Sequence, residues 1–231
     1  MKQSLFTMEH ARQLTADTYE LVLSGDTSAI TAPGQFVNIQ LPGKFLRRPI
    51  SICNWTKDAL LLLVRVVGEG THDLVRCVPG TELDVLSGLG NGFDLAKGGA
   101  HPILLGGGIG IAPLYGLAQR MLEAGIAPTV GLGFRSGGDA FYLEEFGKLG
   151  CRLMVATEDG SLGTKGFVTD LARHVPECGY AFVCGPTPML KAVHGLPQLT
   201  GGQFSFEARM GCGFGACMGC SCLLYTSDAA D

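Results

Sequence analysis

The sequence has no run of lysine and arginine residues, and its 231 residues carry a formal net charge of −4. Binding to nucleic-acid phosphates needs a concentrated basic face, so this absence argues against a nucleic-acid partner. The N-terminus has no apolar signal region, and no segment approaches the length of a membrane-spanning helix. With 46% hydrophobic residues, the composition predicts a globular, cytoplasmic protein that binds neither nucleic acid nor membrane.

Motifs for side-chain catalysis are also missing. The five histidines have no metal-ligand spacing, and neither a G-x-S-x-G turn nor a convincing acid–base pair occurs. We therefore predict no catalytic side chain and expect bound cofactors to supply the chemistry.

The nine cysteines do not suggest a disulfide framework, because their number is odd and several cluster at one end of the chain. Five occur singly among apolar residues and are interpreted as small buried hydrophobes: Cys53, Cys77, Cys151, Cys178 and Cys184. The clustered cysteines instead favour a metal site in a cytosolic protein.

The first 97 residues are predicted to form an antiparallel β-barrel. Short strand-like stretches alternate with turns that contain proline, glycine, aspartate or asparagine. These stretches are TYELVLSG, GQFVNIQLP, RRPISICNW, ALLLLVRVVG and TELDVLSG. No helical period occurs between them, and strands at this spacing are typical of a small barrel.

Residues 98–202 follow a different pattern, in which strands and helices alternate. Buried strands such as PILLGGG, APTVGLGF, CRLMVAT and YAFVCG are each followed by a helical segment. In the first helix, APLYGLAQRMLEAG, apolar residues recur at i, i+3, i+4, i+7 and i+8. This alternation predicts a doubly wound parallel sheet. Residues 203–231 form a third, cysteine-bearing module.

Two glycine-containing loops follow strands of the predicted sheet. GGGIGIAP, residues 106–113, precedes a helix, and CGPTPM, residues 184–189, ends a later strand. Such turns also occur for packing alone, but two of them at the carboxyl ends of parallel strands favour a dinucleotide crevice. The candidate NAD-binding residues are Gly107, Gly108, Ile109, Gly110, Cys184, Gly185, Pro186 and Met189.

The barrel half carries two segments with possible cofactor chemistry, RRPIS at residues 47–51 and VRVVGEGT at residues 64–71. Arginine can hold a pyrophosphate with two hydrogen bonds, and a serine hydroxyl can reach the edge of a flavin ring. Taken alone, however, an arginine beside a proline is more often part of a surface salt bridge.

Three cysteines of the last module, Cys212, Cys217 and Cys220, have the spacing C-x4-C-x2-C. This is the spacing of plant-type 2Fe-2S ferredoxins. The interleaved glycines would let the backbone wrap closely around an inorganic cluster. A structural zinc site is the alternative, but paired C-x2-C units would be more typical of zinc.

The order of PGQFV, RRPIS, GEGT, LGNGF, LLGGGIGIAPL, CGPTPML and EARMGCGFGACMGCSC resembles a known family. These motifs are similar to those of dihydroorotate dehydrogenase B electron-transfer subunits, within the ferredoxin–NADP reductase-like superfamily. The resemblance extends to about Leu224 and implies an FAD-binding barrel, an NAD-binding α/β domain and a C-terminal 2Fe-2S module. The residues that match the FAD-binding segments are Arg48, Pro49, Ile50, Ser51, Leu63, Val64, Arg65, Gly70 and Thr71.

The resemblance also implies a function and a set of partners. NADH would reduce FAD, and a 2Fe-2S cluster would pass single electrons to an FMN-containing catalytic subunit that interconverts dihydroorotate and orotate in pyrimidine biosynthesis. The expected assembly is a heterotetramer with two subunits of each kind. The alternatives are the flavin subunit of an NADP-linked ferredoxin oxidoreductase or sulfide dehydrogenase, and a zinc-binding interaction module.

The resemblance is incomplete at the C-terminus. Cys212, Cys217 and Cys220 match three of the family's cluster ligands, and Cys222 matches a neighbouring cysteine that is not usually a ligand. The fourth ligand normally comes from a later segment, yet Cys222 is the sole cysteine after Cys220. We therefore expect the cluster module to lack its fourth ligand, as in a chain truncated at its C-terminus.

The sequence further predicts a preference for NADH over NADPH. Arg135 follows one strand of the sheet and could attract a 2′-phosphate. Glu158 and Asp159 follow the next strand and would oppose a phosphate if they line the same crevice.

Overall fold

The computed structural model describes residues 1–206, 210, 212 and 213. Most of the predicted cysteine module, including Cys217, Cys220 and Cys222, therefore lies outside the described residues.

The predicted antiparallel barrel is confirmed. Its six strands are β1 (Lys2–Gln13), β2 (Thr18–Gly25), β3 (Phe36–Gln40), β4 (Arg48–Trp55), β5 (Ala59–Arg65) and β6 (Glu82–Leu89). They close in the order β1-β2-β5-β4-β3-β6, because β1 pairs with both β2 and β6. Alternating side chains such as Leu21, Leu23, Leu60 and Leu62 fill the interior and are fully buried.

Two elements of this half were not expected from the sequence. Strand β1 buries only Phe6 and Met8 among its twelve residues, so its hydrophobic alternation is weak. Helix α1 (Glu69–Val75) interrupts a region where no helix was predicted. This helix is too short for a clear period of apolar residues, and it begins where the Thr71 hydroxyl accepts a hydrogen bond from Val67 N at 3.0 Å.

The predicted parallel sheet is also confirmed. Its strands are β7 (Ile103–Gly107), β8 (Thr129–Phe134), β9 (Arg152–Thr157), β10 (Thr164–Lys165), β11 (Tyr180–Cys184) and β12 (Gly201–Ser205). They lie in the order β10-β9-β8-β7-β11-β12, and every neighbouring pair is parallel.

Helices cover both faces of this sheet, as a doubly wound arrangement requires. The helices are α2 (Ala112–Glu123), α3 (Leu143–Lys148), α4 (Val168–Arg173) and α5 (Thr187–His194). Apolar side chains of α2 and α3 share one core with Leu104 and Leu132, whereas those of α4 and α5 pack with Ile103 and Leu105 on the other face. Among the described residues, no helix combines the length and apolar character needed to cross a membrane.

Strand β12 spans the position between residues 202 and 203 at which the sequence divides the second domain from the third. It pairs with β11 from Tyr180 opposite Gly201 to Cys184 opposite Ser205. Its two glycines lower the β propensity of the segment, which explains why no strand was expected there. The division of the chain at residues 97 and 202 stays a prediction.

Helix α2 joins the sheet to the barrel by packing against β4. An ideal Cβ atom at Gly116 would lie 2.5 Å from the carbonyl oxygen of Cys53, so the helix and the strand approach more closely than any side chain would allow. Beside this contact, Asn54 Nδ2 donates to Gln119 Oε1 at 2.7 Å. Cys53 and Leu63 of the barrel share the apolar core of α2, which fixes the two halves relative to each other.

This contact predicts opposite effects for two helical glycines. Replacing Gly116 with alanine favours the helix by about 1 kcal/mol through its higher helix propensity. The clash with Cys53 should outweigh this gain and lower the free energy of unfolding by about 1–3 kcal/mol. Gly147→Ala in α3 is the matched control, because a Cβ atom there meets nothing within 4 Å. It should stabilise the protein by up to about 1 kcal/mol. Urea unfolding measures both, and equal effects would contradict the close packing.

Candidate functional site

The candidate site lies where the direction of the sheet reverses. The chain builds β7, β8, β9 and β10 outward in one direction and then returns to place β11 beside β7. Loops that leave the carboxyl ends of these two strands therefore diverge and open a crevice between them, where ligands of open α/β sheets bind. The two loops predicted from the sequence are the ones that lie here.

A first cleft of about 400 Å³ occupies this crevice. Five predicted nucleotide-binding residues line it: Gly107, Gly108, Ile109, Pro186 and Met189. The barrel contributes Asp17, Thr18 and Arg65 to the same cleft, a contribution that sequence reasoning did not anticipate. Gly108 has a φ of 54°, and a Cβ atom there would meet nothing within 4 Å. The cleft therefore offers bare backbone to a ligand at the loop after β7.

Three other predicted residues, Gly110, Cys184 and Gly185, lie behind the cleft rather than on its surface. A Cβ atom at Gly110 would lie 2.4 Å from the carbonyl oxygen of Cys184, and one at Gly185 would lie 2.8 Å from Cε of Met189. The backbone contact leaves no room for a side chain at Gly110, and at Gly185 a Cβ atom would also lie only 3.2 Å from the backbone nitrogen of Gly107. In this structure these residues let the two loops pack together, and a direct role in nucleotide binding stays a prediction.

A second cleft, of about 620 Å³, lies between the barrel and the carboxyl end of β12. Seven of the nine residues predicted for FAD line it: Pro49, Ile50, Ser51, Leu63, Val64, Arg65 and Thr71. Sequence reasoning did not assign the aromatic side chains that also line it: Phe36, Phe93, Phe204 and Phe206. The motifs PGQFV and LGNGF contain the first two, so their resemblance to the family's motifs was the available signal.

The two clefts adjoin, because Arg65 and Ile109 line both of them. Ile109 belongs to the loop after β7, and Arg65 ends barrel strand β5. Arg65 Nε donates to Asp17 Oδ2 at 2.7 Å. Burial alone would raise the pKa of Asp17, but hydrogen bonds from Arg65 and Thr18 outweigh burial and lower it. The charge of Arg65 is therefore already partly balanced by a carboxylate at the junction of the clefts.

The adjacent arginines of RRPIS have different surroundings. Arg47 Nη2 donates to Asp84 Oδ2 at 2.8 Å and its Nη1 donates to the Asp84 carbonyl oxygen at 2.9 Å. The hydrogen bond from Arg47 lowers the pKa of Asp84, and a carboxylate therefore holds this arginine in the barrel.

Arg48, by contrast, has no ion-pair partner within the part of the chain that the structure describes. Its Nη1 donates to the carbonyl oxygen of Leu46 at 2.6 Å. Its guanidinium lies against the backbone of Gly70, where a Cβ atom would be 1.9 Å from Nε. Neither residue is part of the lining of the second cleft, but the two predicted FAD-binding residues lie in contact with each other at α1.

The first cysteine of the predicted cluster motif lies beside the second cleft. Asn38 Nδ2 on β3 donates to the carbonyl oxygen of Cys212 at 2.9 Å. The next residue, Gly213, has a φ of 75°, and a Cβ atom there would lie 2.7 Å from the same Nδ2 atom. Phe36, which lines the cleft, is 3.7 Å from that position. Among residues 1–206, 210, 212 and 213, no three metal-ligating side chains form a group, and Cys217 and Cys220 lie outside this set.

Of the three residues that the sequence connects with nucleotide preference, two line the first cleft and one does not. Arg135 and Glu158 both line the first cleft. Asp159 is not part of the lining, and its Oδ1 accepts hydrogen bonds from Ser161 N at 2.9 Å and Ser161 Oγ at 2.6 Å. These bonds lower the pKa of Asp159 and hold its carboxylate in a local turn.

Comparisons with known proteins give consistent results. The family model of oxidoreductase NAD-binding domains matches residues 104–195. The chain is 41% identical to the "Dihydroorotate dehydrogenase B (NAD(+)), electron transfer subunit" of Geobacillus sp. (strain WCH70), with 100% of this chain and 93% of the relative aligned. It is 43% identical to the protein of the same name from Shouchella clausii (strain KSM-K16), covering 99% of this chain and 91% of the relative.

Two solved structures have a similar fold. The structure of an NADH-dependent reduced ferredoxin-NADP oxidoreductase superposes with a TM-score of 0.84 at 29% identity, over 94% of this chain and 81% of that chain. A cytochrome P450 reductase from Amycolatopsis gives a TM-score of 0.76 at 24% identity, over 90% of this chain and 71% of that chain, and this likeness concerns the fold alone.

Proposed function

Because this chain belongs to the family of dihydroorotate dehydrogenase B electron transfer subunits, we propose that it oxidises NADH and delivers the electrons to a dihydroorotate dehydrogenase catalytic subunit. The route runs through FAD and a 2Fe-2S cluster, and the catalytic subunit carries FMN. The two subunits work in pyrimidine biosynthesis as a cytoplasmic heterotetramer of two plus two.

The observation that carries this proposal is the shared wall of the two clefts. An electron relay needs the nicotinamide to meet the flavin directly, since hydride moves between atoms in contact. Ile109 and Arg65 line both clefts, so ligands that fill the clefts would meet at these residues. Met210, two residues before Cys212, lines the second cleft and is not part of the lining of the first, which favours the order nicotinamide, flavin, cluster.

The residues of the second cleft fit a flavin by their chemistry. Apolar side chains of Ile50, Leu63 and Val64 can cover a ring system and exclude water, and the Ser51 hydroxyl can hydrogen-bond a ring edge. Arg48 is the side chain that can bind the pyrophosphate, because no carboxylate among the described residues holds it. When bound, FAD accepts two electrons from NADH and releases them singly to an iron–sulfur cluster.

In the first cleft the backbone of Gly107 and Gly108 would contact the nucleotide phosphates. The sulfur atoms of Cys212, Cys217 and Cys220 would hold the cluster, as the C-x4-C-x2-C spacing predicts.

Purification of the chain together with its catalytic subunit tests the function. We expect the visible absorption of flavin, which NADH should bleach, and reduction of orotate only when the catalytic subunit is present. Iron–sulfur absorption should appear in addition when the fourth cluster ligand is supplied. A colourless protein that contains zinc would refute the proposal.

A related function, in a ferredoxin–NADP oxidoreductase, is favoured by the structural similarity to that enzyme at a TM-score of 0.84. The same preparation separates the two candidates. Electron transfer to ferredoxin, with none to the dihydroorotate dehydrogenase subunit, would support this second function instead.

Arg48→Ala should weaken FAD retention. Loss of a charge-assisted contact to pyrophosphate costs ~1.5–3 kcal/mol, or roughly ten- to hundredfold in affinity. Flavin released on dialysis, measured by fluorescence, gives the affinity.

Arg47→Ala is the matched control. This change removes the ion pair with Asp84 and should lower the unfolding temperature while the folded protein keeps its FAD. Similar FAD loss from both folded variants would show that Arg48 has no special role.

We also expect a higher kcat/KM for NADH than for NADPH, because Glu158 lines the first cleft and would repel a 2′-phosphate. Glu158→Gln should raise kcat/KM for NADPH by up to roughly fivefold, which corresponds to ~1 kcal/mol for an exposed charge pair. Asp159→Asn is the control, because that carboxylate already accepts a hydrogen bond from Ser161 and is not part of the lining of the cleft. Equal use of both nucleotides by the unaltered chain would overturn the preference.

A further inference from the structure

Tyr142, next to the lining residue Phe141 of the first cleft, has an unusual backbone conformation. Its φ of 64° makes it the sole non-glycine residue with positive φ in the described part of the chain. A bulky residue adopts this left-handed conformation only where its surroundings compensate for the strain, and such positions are common at functional sites. Tyr142 directly precedes α3 and follows the segment 135–141, from which Arg135, Asp139 and Phe141 line the first cleft.

The side chain of Tyr142 crosses from the sheet to the barrel. Its hydroxyl donates to Glu20 Oε2 on β2 at 2.5 Å, a contact between residues 122 positions apart. Glu20 also accepts two hydrogen bonds of 3.0 Å from Arg12. Tyr142 and Glu20 are only 4% and 8% exposed, so water competes little for this contact.

The protonation states of Tyr142 and Glu20 favour this hydrogen bond. Burial, with Cys53 and the Glu20 carboxylate nearby, raises the pKa of Tyr142, so its hydroxyl remains a donor. Burial would raise the pKa of Glu20 as well, but hydrogen bonds from Arg12 and Tyr142 outweigh burial and lower it. Glu20 therefore remains an acceptor at neutral pH.

The first residue of β2 and the residue before it form part of the first cleft. Asp17 and Thr18, just before Glu20, line it on the barrel side, whereas the segment 135–141 lines it on the sheet side. The Tyr142–Glu20 hydrogen bond thus joins two walls of one cleft directly behind its surface. The ring of Tyr142 packs edge-on against Tyr115 of α2, with ring centroids 5.3 Å apart. This contact restricts the orientation of the Tyr142 ring.

We propose that Tyr142 is a positioning residue, whose hydrogen bond to Glu20 holds the segment 135–141 against the barrel and so sets the width of the cleft for the nucleotide. The proposal rests on the proposed function in taking a nicotinamide nucleotide as the occupant. Tyr142 itself touches neither cofactor, since it is not part of the lining of either cleft.

The test replaces Tyr142 with phenylalanine, which keeps the ring and removes the hydroxyl. Binding of ADP-ribose, a nucleotide without the reactive ring, is measured by calorimetry on the FAD-loaded chain. We expect Kd for ADP-ribose and KM for NADH to rise three- to tenfold, with kcat within twofold and FAD content unchanged.

Tyr115→Phe is the matched control. It makes the same chemical change in the same aromatic cluster, and the Tyr115 hydroxyl has no hydrogen-bond partner among the described residues. Its Kd should equal that of the unaltered chain. Glu20→Gln keeps an oxygen acceptor for Tyr142 while it loses the ion pair with Arg12, so its Kd should rise less than that of Tyr142→Phe.

Hydrogen exchange of residues 135–141, measured without nucleotide, is a second measurement and should be faster in Tyr142→Phe. Unchanged ADP-ribose binding in Tyr142→Phe, even with a lower unfolding temperature, would show that the contact only stabilises the fold. Equal weakening by Tyr142→Phe and Tyr115→Phe would also overturn the proposal. When the unaltered chain binds FAD and ADP-ribose, either of these two results refutes the positioning role of Tyr142 and leaves the proposed function standing. An unaltered chain that binds neither ligand would refute the proposed function itself.

Discussion

The close packing of α2 against β4 is the contact on which the arrangement of both clefts depends. At Gly116 the helix approaches the Cys53 carbonyl oxygen so closely that a Cβ atom would be 2.5 Å away. The loop that precedes α2 contains Ile109, and β5, one of the two strands that pair with β4, ends at Arg65. Because the helix and the strand are fixed to each other, these two residues meet at one place and line both clefts.

Adjacent charged residues near the clefts differ in whether another side chain of the protein pairs with them. Arg47 is held by Asp84, whereas Arg48 has no carboxylate partner among the described residues. Asp159 is held by Ser161 in a local turn, whereas Glu158 lines the first cleft. In each adjacent pair one charge is satisfied within the protein, whereas no described residue neutralises the other, which leaves it available to a ligand.

The sequence predicted the elements with strong local patterns. The apolar period of α2 and the runs of β7, β8, β9 and β11 identified the parallel sheet, since buried strands and amphipathic helices leave clear periodicities. It did not predict β1, α1 or β12. Strand β1 buries just Phe6 and Met8, α1 has seven residues, and β12 begins with two glycines, so their formation depends on neighbouring strands rather than on local propensity.

The sequence by itself determined the order of the motifs, the two kinds of domain and the family, because each depends on residues that are close together along the chain. The tertiary structure alone decided which motif residues face a cleft. Gly110 lies against the carbonyl oxygen of Cys184, Asp159 accepts a hydrogen bond from Ser161, and Tyr142 donates to Glu20 across 122 residues. Such outcomes depend on the path of the whole backbone, since contacts between distant residues form only after the barrel and the sheet have packed together.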